Sequence, residues 1–174
     1  MNPFESGQRK VIPAVLVYVR TPDDRVLMIH RNGRPGDYHD GKWNGLGGKL
    51  ELDESPIEAA RREVLEESGL EIPIEAFCPL GTLQFPNFKA HRSEDWLVFV
   101  FGAKVPAAMT ALSLRRSEEG DLHWIPSEDL LKVNLWPGDA LFLPQVIREK
   151  PFFGTIWYQE GQVSRHWIRP LAEA

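Results

Sequence analysis

A helix with both of its ends encoded lies within residues 48–70, which read GKLELDESPIEAARREVLEESGL. Ser55, Pro56 and Glu58 predict its start, because a hydroxyl caps free N–H groups, proline suits the first helical position and a carboxylate can reach back to the cap. Gly69 predicts its end in a left-handed conformation. Between these ends, apolar side chains recur at helical spacing and should pack inward: Ile57, Ala60 and Val64.

Three carboxylates share one face of this helix. At about 100° per residue, Glu63, Glu66 and Glu67 fall within an arc roughly 100° wide. Like charges so close together repel one another, but they suit a hard divalent cation that takes oxygen ligands. Arg62 lies four residues after Glu58 and four before Glu66, so it can brace one or both by ion pairing. In the alternative interpretation, these acids only form a solvated helical face that is paired with Arg61 and Arg62.

The spacing of the charged residues and glycines in this stretch resembles the Nudix box, G-x5-E-x7-R-E-U-x-E-E-x-G-U, at every position. Seven fixed letters would match by chance on the order of once in 10⁹ starts. The resemblance implies an α/β fold, an α/β/α sandwich with a mixed β-sheet, in one domain over residues 1–174, of which residues 1–10 are expected to be a loose leader. The matching positions are Gly48, Glu54, Arg62, Glu63, Glu66, Glu67 and Gly69, with aliphatic Val64 and Leu70.

Nudix hydrolases cleave a nucleoside diphosphate linked to another moiety, with Mg²⁺ or Mn²⁺ bound to the glutamates of the box. Many carboxylates are needed because pyrophosphate is densely negative, and water approaches it only after cations neutralise its oxygens and lower the pKa of the water. By this resemblance Glu67 is the best-placed ligand, and Glu54 supports the loop and the metal shell. The expected metal ligands are Glu63, Glu66, Glu67 and the backbone carbonyl of Gly48.

A further glutamate outside the box joins the metal site in the oxidised-purine members of the family. Glu119, in RRSEEGDLHWIP, aligns best with it, although the assignment could slip to Glu118. Two solvated loop acids are the alternative interpretation. A base must deprotonate or orient the attacking water, and the sequence leaves Glu63, Glu67 and Glu119 open for this role, with Arg62 bracing the acids.

Two segments resemble the 8-oxo-dGTP diphosphatases that sanitise nucleotide pools: KWNGLGGKLE before the helix and LWPGDALFLPQVIREKPFFGTIWYQEG near the end. In those enzymes the asparagine of WNG contacts the purine, the tryptophan of WPDD stacks on it and two aspartates read its edge. Asn44, Trp136 and Asp139 match, but Gly138 replaces the first aspartate, which puts selectivity for an oxidised purine in doubt. Trp136 could instead fill the core. Arg31, at a strand end, could reach the nucleotide or its phosphates, or simply be exposed.

Three functions therefore compete. The first is a Mg²⁺-dependent hydrolase that converts a purine nucleoside triphosphate, oxidised dGTP above all, to the monophosphate and pyrophosphate. The second keeps this chemistry and changes the substrate to a dinucleoside polyphosphate, ADP-ribose or a nucleotide sugar. The third is a non-catalytic nucleotide sensor, which we would expect to lose glutamates of the box, whereas this chain retains all of them.

The amino-acid composition limits the classes of binding partner that we expect. The 20 Lys and Arg stand against 25 Asp and Glu, giving a net charge of −5 without a basic run, so neither a nucleic acid polymer nor a membrane is an expected partner. The single Cys78 rules out an internal disulfide, and no apolar run reaches membrane-spanning length. We expect a cytoplasmic protein, either a monomer or a homodimer.

Outside the box, alternating and β-branched patterns predict strands, and the glycine-rich loop 32–42 is either a flap over the substrate or an inert loop. Helices are predicted over 127–133 and over 141–150, where Pro144 should bend the second or lie in its first turn. The predicted strands are 11–20, 25–31, 80–85, 96–103 and 122–125, with a closing hairpin formed by 155–158 and 163–168.

Overall fold

The structure is a computed structural model that describes residues 9–32, 41–112, 114, 117 and 119–171. The described chain forms eight strands, two α-helices and several short 3₁₀ turns. The strands are β1 (Lys10–Arg20), β2 (Arg25–His30), β3 (Trp43–Asn44), β4 (Phe77–Lys89), β5 (Glu94–Lys104), β6 (Asp121–Pro126), β7 (Phe152–Gln159) and β8 (Gln162–Pro170); the helices are α1 (Pro56–Ser68) and α2 (Asp139–Ile147).

The strands form one mixed sheet in the order β3-β2-β1-β5-β4-β7-β8, with β6 paired to β2. The β1–β5 and β4–β7 pairs are parallel and the other strand pairs are antiparallel. Strand β1 alternates between the two faces, because Ala14 and Tyr18 pack into one core and Val15 and Val17 into the other. Each face therefore needs its own cover.

The two helices cover opposite faces of the sheet. Helix α1 buries Ala59, Ala60 and Val64 in the core that contains Val15 and Val17. Helix α2 buries Phe142, Leu143 and Val146 in the core that contains Tyr18. The predicted α/β/α sandwich with a mixed sheet is thus confirmed.

Helix α1 begins and ends where the sequence predicts. The Ser55 hydroxyl and the Glu58 carboxylate form a capping box, Pro56 occupies the first turn, and Gly69 ends the helix with φ 76°. The strand predictions are confirmed too, although β4 begins three residues earlier and ends four residues later than predicted. Strand β5 begins two residues earlier and ends one residue later.

Other local predictions need correction. The predicted helix 127–133 is only a 3₁₀ turn, Ser127–Asp129, because the Ser127 hydroxyl donates to Asp24 instead of capping a helix. Helix α2 begins two residues earlier than predicted and contains Pro144 in its interior. Arg9 and Lys10 do not belong to a loose leader, since Arg9 is ion-paired to Asp95 and Lys10 begins β1. Residues 1–8 and loop positions 33–40 lie outside the described residues.

Candidate active site

A glycine-rich segment runs along β1 and faces helix α1. Leu46 exchanges two backbone hydrogen bonds with Val17, and the Gly48 carbonyl accepts from the N–H of Val15 at 2.8 Å. Gly47, between them, instead donates its N–H to Oε2 of Glu67 at 2.9 Å. Because the polar groups of successive residues in an extended segment point to opposite sides, the Gly47 carbonyl is expected on the Glu67 side. This favours Gly47 over the predicted Gly48 as the carbonyl ligand of a metal.

The closeness of the surrounding atoms requires glycine at position 47 and leaves little room for a side chain at position 48. A Cβ on Gly47 would lie 2.1 Å from the carbonyl oxygen of Val15, at a φ of +150° that side chains rarely adopt. A Cβ on Gly48 would lie 2.2 Å from Oε1 of Glu63. The first contact involves rigid backbone and the second the end of a side chain. The loop therefore approaches both β1 and the acidic face of α1 closely.

Arg62 is the centre of an ion-pair network on α1. Its Nε and Nη2 donate to the two oxygens of Glu54 at 2.7 and 2.8 Å, and Nη2 also donates to the carbonyl of Lys49 at 3.0 Å. Its Nη1 donates to Glu63 at 2.9 Å and to Glu66 at 3.2 Å. The arginine thus ties the helix to the turn before it and lies against two of the predicted metal ligands.

The three glutamates of the helix differ in environment. Glu66 has 56% of its side chain exposed, whereas Glu63 has 13% exposed and Glu67 is buried. Burial, reinforced by the charges of Glu119 and Glu63, raises the pKa of Glu67 to about 8, against the opposing N–H of Gly47 and the charge of Arg31. Burial also raises the pKa of Glu63, against the opposing Arg62. Glu67 is therefore the carboxylate that most lacks a compensating positive charge.

Glu119 reaches the same region from a turn between β5 and β6. Its N–H donates to the Ser117 hydroxyl at 3.1 Å, and its carboxylate accepts from Nη1 of Arg31 at 2.5 Å. The charge of Glu119 acts on both Glu63 and Glu67, so the structure brings together acids that lie more than 50 residues apart in the chain. Glu118 lies outside the described residues.

Within the described residues, no three acidic, histidine or cysteine side chains converge closely enough to enclose a metal ion. The carboxylates are turned instead towards Arg62, Arg31 and the Gly47 N–H. Their chemistry nevertheless fits a hard divalent cation: three carboxylates act on one another, all their donor atoms are oxygen, and the buried Glu67 has a single N–H neighbour for its charge. The Glu119 side chain would have to turn away from Arg31 to join such a cation.

The second group of predicted residues lies around the first turn of α2. Asp139 is the first residue of that helix, and its N–H donates to the carbonyl of Trp136 at 3.0 Å. Burial raises the pKa of Asp139 to about 7, with the charge of Lys42 opposing it. The side-chain oxygen of Asn44 is buried and has no hydrogen-bond partner among the described residues. Asn44 therefore holds a buried acceptor that the described protein groups do not satisfy.

Three functional candidates were missed by the sequence analysis. Lys42 donates to Asn134 and to the carbonyl of Leu135, and its ammonium lies 5.3 Å from the centre of the Trp136 ring. The Tyr158 hydroxyl accepts from the N–H of Gly138 at 2.8 Å. The buried Tyr18 hydroxyl has no hydrogen-bond partner within the described chain, and its ring packs on Phe142 and beside Gly45. Of these, only Lys42 carried a signal, its place beside the WNG segment.

These features define a hydrolase of the Nudix type: an acidic helix that follows a glycine-rich loop on a mixed sheet. The chain belongs to the Nudix family, because the model of the NUDIX domain matches residues 10–146. It is a Nudix pyrophosphohydrolase that acts on a nucleotide substrate, and members of this family generally use divalent metals.

Similar proteins of known name indicate which members of the Nudix family the chain resembles. The chain is 31% identical over 148 residues to an oxidized purine nucleoside triphosphate hydrolase of Danio rerio, covering 85% of this chain and 87% of that protein. It is 30% identical over 146 residues to the protein of the same name from Mus musculus, covering 83% and 85%. A crystal structure of a MutT protein from Bacillus halodurans superimposes with a TM-score of 0.76 at 22% identity, covering 92% of this chain and 99% of that one, which supports the fold.

No helix among the described residues is both long enough and apolar enough to cross a membrane.

Proposed function

We propose that this enzyme hydrolyses purine nucleoside triphosphates to the monophosphate and pyrophosphate, with oxidised dGTP as the leading substrate and Mg²⁺ as the metal. The observation that carries the proposal is that Glu63, Glu67 and Glu119, from two distant segments, lie near enough for their charges to act on one another. The two relatives that are named as oxidized purine nucleoside triphosphate hydrolases support the substrate class. We also propose a role in sanitising the nucleotide pool of the cytoplasm.

In this proposal the acids divide the work. Glu67 and Glu63, with the Gly47 carbonyl, hold the ions, Glu66 completes the set from the exposed edge of α1, and Glu119 joins from its turn. When bound, Mg²⁺ neutralises the phosphate oxygens and lowers the pKa of the attacking water. Arg62 keeps Glu63 and Glu66 in place. Its two hydrogen bonds to Glu54 hold that side chain in the turn before α1.

In this proposal the purine base of the substrate binds on the face of the sheet that α2 covers. Trp136 supplies an aromatic ring of the kind that stacks on a base, and Asp139 offers a carboxyl whose pKa of about 7 lets it donate or accept a hydrogen bond near neutral pH. The unpaired oxygen of Asn44 is a further acceptor. A buried acceptor that lacks a partner among the described residues favours a base with a matching donor over an apolar ligand.

The experiment is a panel of nucleotides incubated with Mg²⁺, with every product identified. The panel contains 8-oxo-dGTP, dGTP, dATP, a diadenosine polyphosphate, ADP-ribose and a nucleotide sugar. We expect pyrophosphate and a monophosphate from a purine triphosphate, fastest from 8-oxo-dGTP. Release of no pyrophosphate from any purine triphosphate would reject the substrate assignment.

A dinucleoside polyphosphate, ADP-ribose or a nucleotide sugar is the second candidate substrate. One observation favours it: Gly138 offers no side chain to a base edge, and Tyr158 fills the space that such a side chain would need. Faster formation of two nucleotides from the diadenosine polyphosphate than of pyrophosphate from any triphosphate would establish this alternative. The Glu67→Gln variant distinguishes a hydrolase of either substrate from a sensor. If the protein is a hydrolase, the variant should keep nucleotide binding and lose hydrolysis.

A further inference from the structure

Two arginines flank the carboxylates, and they differ in how fully they are hydrogen-bonded. Arg62 uses all three of its guanidinium nitrogens, donating to Glu54, Glu63, Glu66 and the carbonyl of Lys49. Its pair with Glu54 is a fork, and both side chains are largely shielded from water, at 21% and 12% exposed. Such a bidentate, shielded arginine is expected to stay in place.

Arg31 is held much less completely. Among the described residues, its guanidinium has one ion pair, from Nη1 to Oε2 of Glu119. Its Nε is buried and has no acceptor in the part of the chain that the structure describes. The Glu119 side chain is 45% exposed, and a single exposed contact of this kind contributes little stability. Arg31 therefore has an unsatisfied donor and a partner that it can release at low cost.

The backbones that carry this pair are fixed, although the pair itself is weak. The N–H of Arg31 donates to the carbonyl of Lys42 at 2.8 Å, and its carbonyl accepts from Gly41 at 2.6 Å. On the other side, a Cβ on Gly120 would lie 2.0 Å from the carbonyl oxygen of His30, so the turn that carries Glu119 packs directly on the end of β2. Only the side chains of Arg31 and Glu119 need to move for the pair to separate.

When Arg31 and Glu119 separate, the charges that act on Glu67 change. Both charges act on the buried Glu67, with Glu119 as the repelling charge and Arg31 as the attracting one. The guanidinium thus neutralises one acid of the cluster in the absence of a ligand. A divalent cation that is bound by Glu119 removes the partner of Arg31, and an anionic polyphosphate on that cation would offer it a new acceptor.

We propose that Arg31 is an exchangeable counter-ion: it pairs with Glu119 in the metal-free enzyme and passes to a phosphate oxygen of the substrate when Glu119 turns to the metal. The exchange rests on the proposed function, because a polyphosphate substrate supplies the new acceptor. Arg31 is a positioning residue for Glu119 and a binding residue for the phosphates. Arg62, with every nitrogen engaged, takes no part in the exchange.

The first test measures Mn²⁺ binding without nucleotide, from the electron paramagnetic resonance signal of the free ion. The Arg31→Gln substitution frees Glu119, so the variant should bind Mn²⁺ about fivefold more tightly than the wild type. This difference in affinity corresponds to the free energy of one exposed ion pair. Arg61→Gln is the matched control, because it removes the same charge from an exposed position on α1. In the Glu119→Gln background, Arg31→Gln should bring no gain beyond that of Arg61→Gln.

The second test measures hydrolysis of the best purine triphosphate. The KM of Arg31→Gln should rise about tenfold, the loss of one charge-assisted hydrogen bond to phosphate, and Arg31→Lys should recover part of it. The inference is overturned if Arg31→Gln binds Mn²⁺ no more tightly than Arg61→Gln, if its gain persists without Glu119, or if its KM is unchanged. Failure of the proposed function is a separate result: the Mn²⁺ pattern holds while the wild type cleaves no triphosphate.

Discussion

Arg62 and Glu54 meet in a two-bond fork, with Nε–Oε1 at 2.7 Å and Nη2–Oε2 at 2.8 Å. The fork closes the turn before α1, because Glu54 also accepts the N–H of Glu51 at 2.9 Å. Arg62 is the main cause that lowers the pKa of Glu54, so this carboxylate stays charged. The pair therefore organises the loop that carries the glycines.

Replacing Arg62 by lysine should lower the free energy of unfolding by about 2 kcal/mol, because an ammonium cannot form the fork and leaves shielded oxygens without donors. Urea denaturation measures this loss. Arg61→Lys, an exposed change one residue earlier, should stay within about 0.5 kcal/mol of the wild type. Equal stability of both variants would show that the fork is dispensable.

Glu67 should make the metal-free protein less stable as pH rises. Its pKa is about 8 in the folded chain against an ordinary value of 4.5, so the folded state holds a proton that the unfolded state has released. The stabilisation is complete below pH 4.5 and is lost progressively as pH rises to about 8. Glu67→Gln removes this dependence, and the variant should gain on the wild type by a few kcal/mol across that interval.

Unfolding at a series of pH values in a chelator measures the difference between the two proteins. Added Mg²⁺ should shrink this difference above neutral pH, because a cation supplies the charge that the buried carboxylate lacks. Parallel stability curves for wild type and Glu67→Gln would contradict the burial of an uncompensated acid.

The two adjacent glycines of the loop should respond differently to alanine. Gly47→Ala places a Cβ 2.1 Å from the backbone of Val15 and should cost several kcal/mol of stability, because backbone cannot yield. Gly48→Ala meets the movable end of Glu63 at 2.2 Å. It should displace that carboxylate, weakening Mn²⁺ binding and hydrolysis at least tenfold with little loss of stability.

Thermal unfolding and Mn²⁺ titration of the same two variants separate these effects. A stable Gly47→Ala, or a Gly48→Ala protein that keeps full metal affinity, would show that the loop is looser than the contacts indicate.

The sequence predicted local structure best where one segment contains all of the determinants. The cap at Ser55, the stop at Gly69 and the inward positions of α1 depend on neighbours in the chain, and all are as predicted. Ser127 has the same chemistry, but it donates to Asp24, more than 100 residues away, and no helix follows. Local signals fail where a distant partner takes the capping group.

The same limit applies to the site. The arc of acids on α1 follows from helical geometry alone, but the pairing of Arg31 with Glu119 needs the fold to bring β2 and the turn before β6 together. The exclusion of a side chain at position 138 depends likewise on Tyr158 of β7, which no spacing rule identifies. Resemblance identified Glu119 and position 138, and only the structure supplies their partners.

Gly138 and Tyr158 should be energetically coupled. A Cβ at position 138 would lie 2.2 Å from the Tyr158 hydroxyl oxygen and 3.0 Å from the ring carbon that bears it. Gly138→Asp alone should cost about 2 kcal/mol through this collision. Tyr158→Phe alone should cost about 1 kcal/mol, because it removes the acceptor of the Gly138 N–H.

In the double variant the hydroxyl that collides is absent, so its stability should exceed the sum of the two single effects by about 1 kcal/mol, which a double-mutant cycle measures. The introduced carboxyl lies beside Asp139, whose pKa is already about 7. Two adjacent carboxyl groups can share one proton. The ratio of kcat/KM for 8-oxo-dGTP to that for dGTP should therefore rise in the double variant. Additive stabilities with an unchanged ratio would mean that Tyr158 does not decide which residue position 138 accepts.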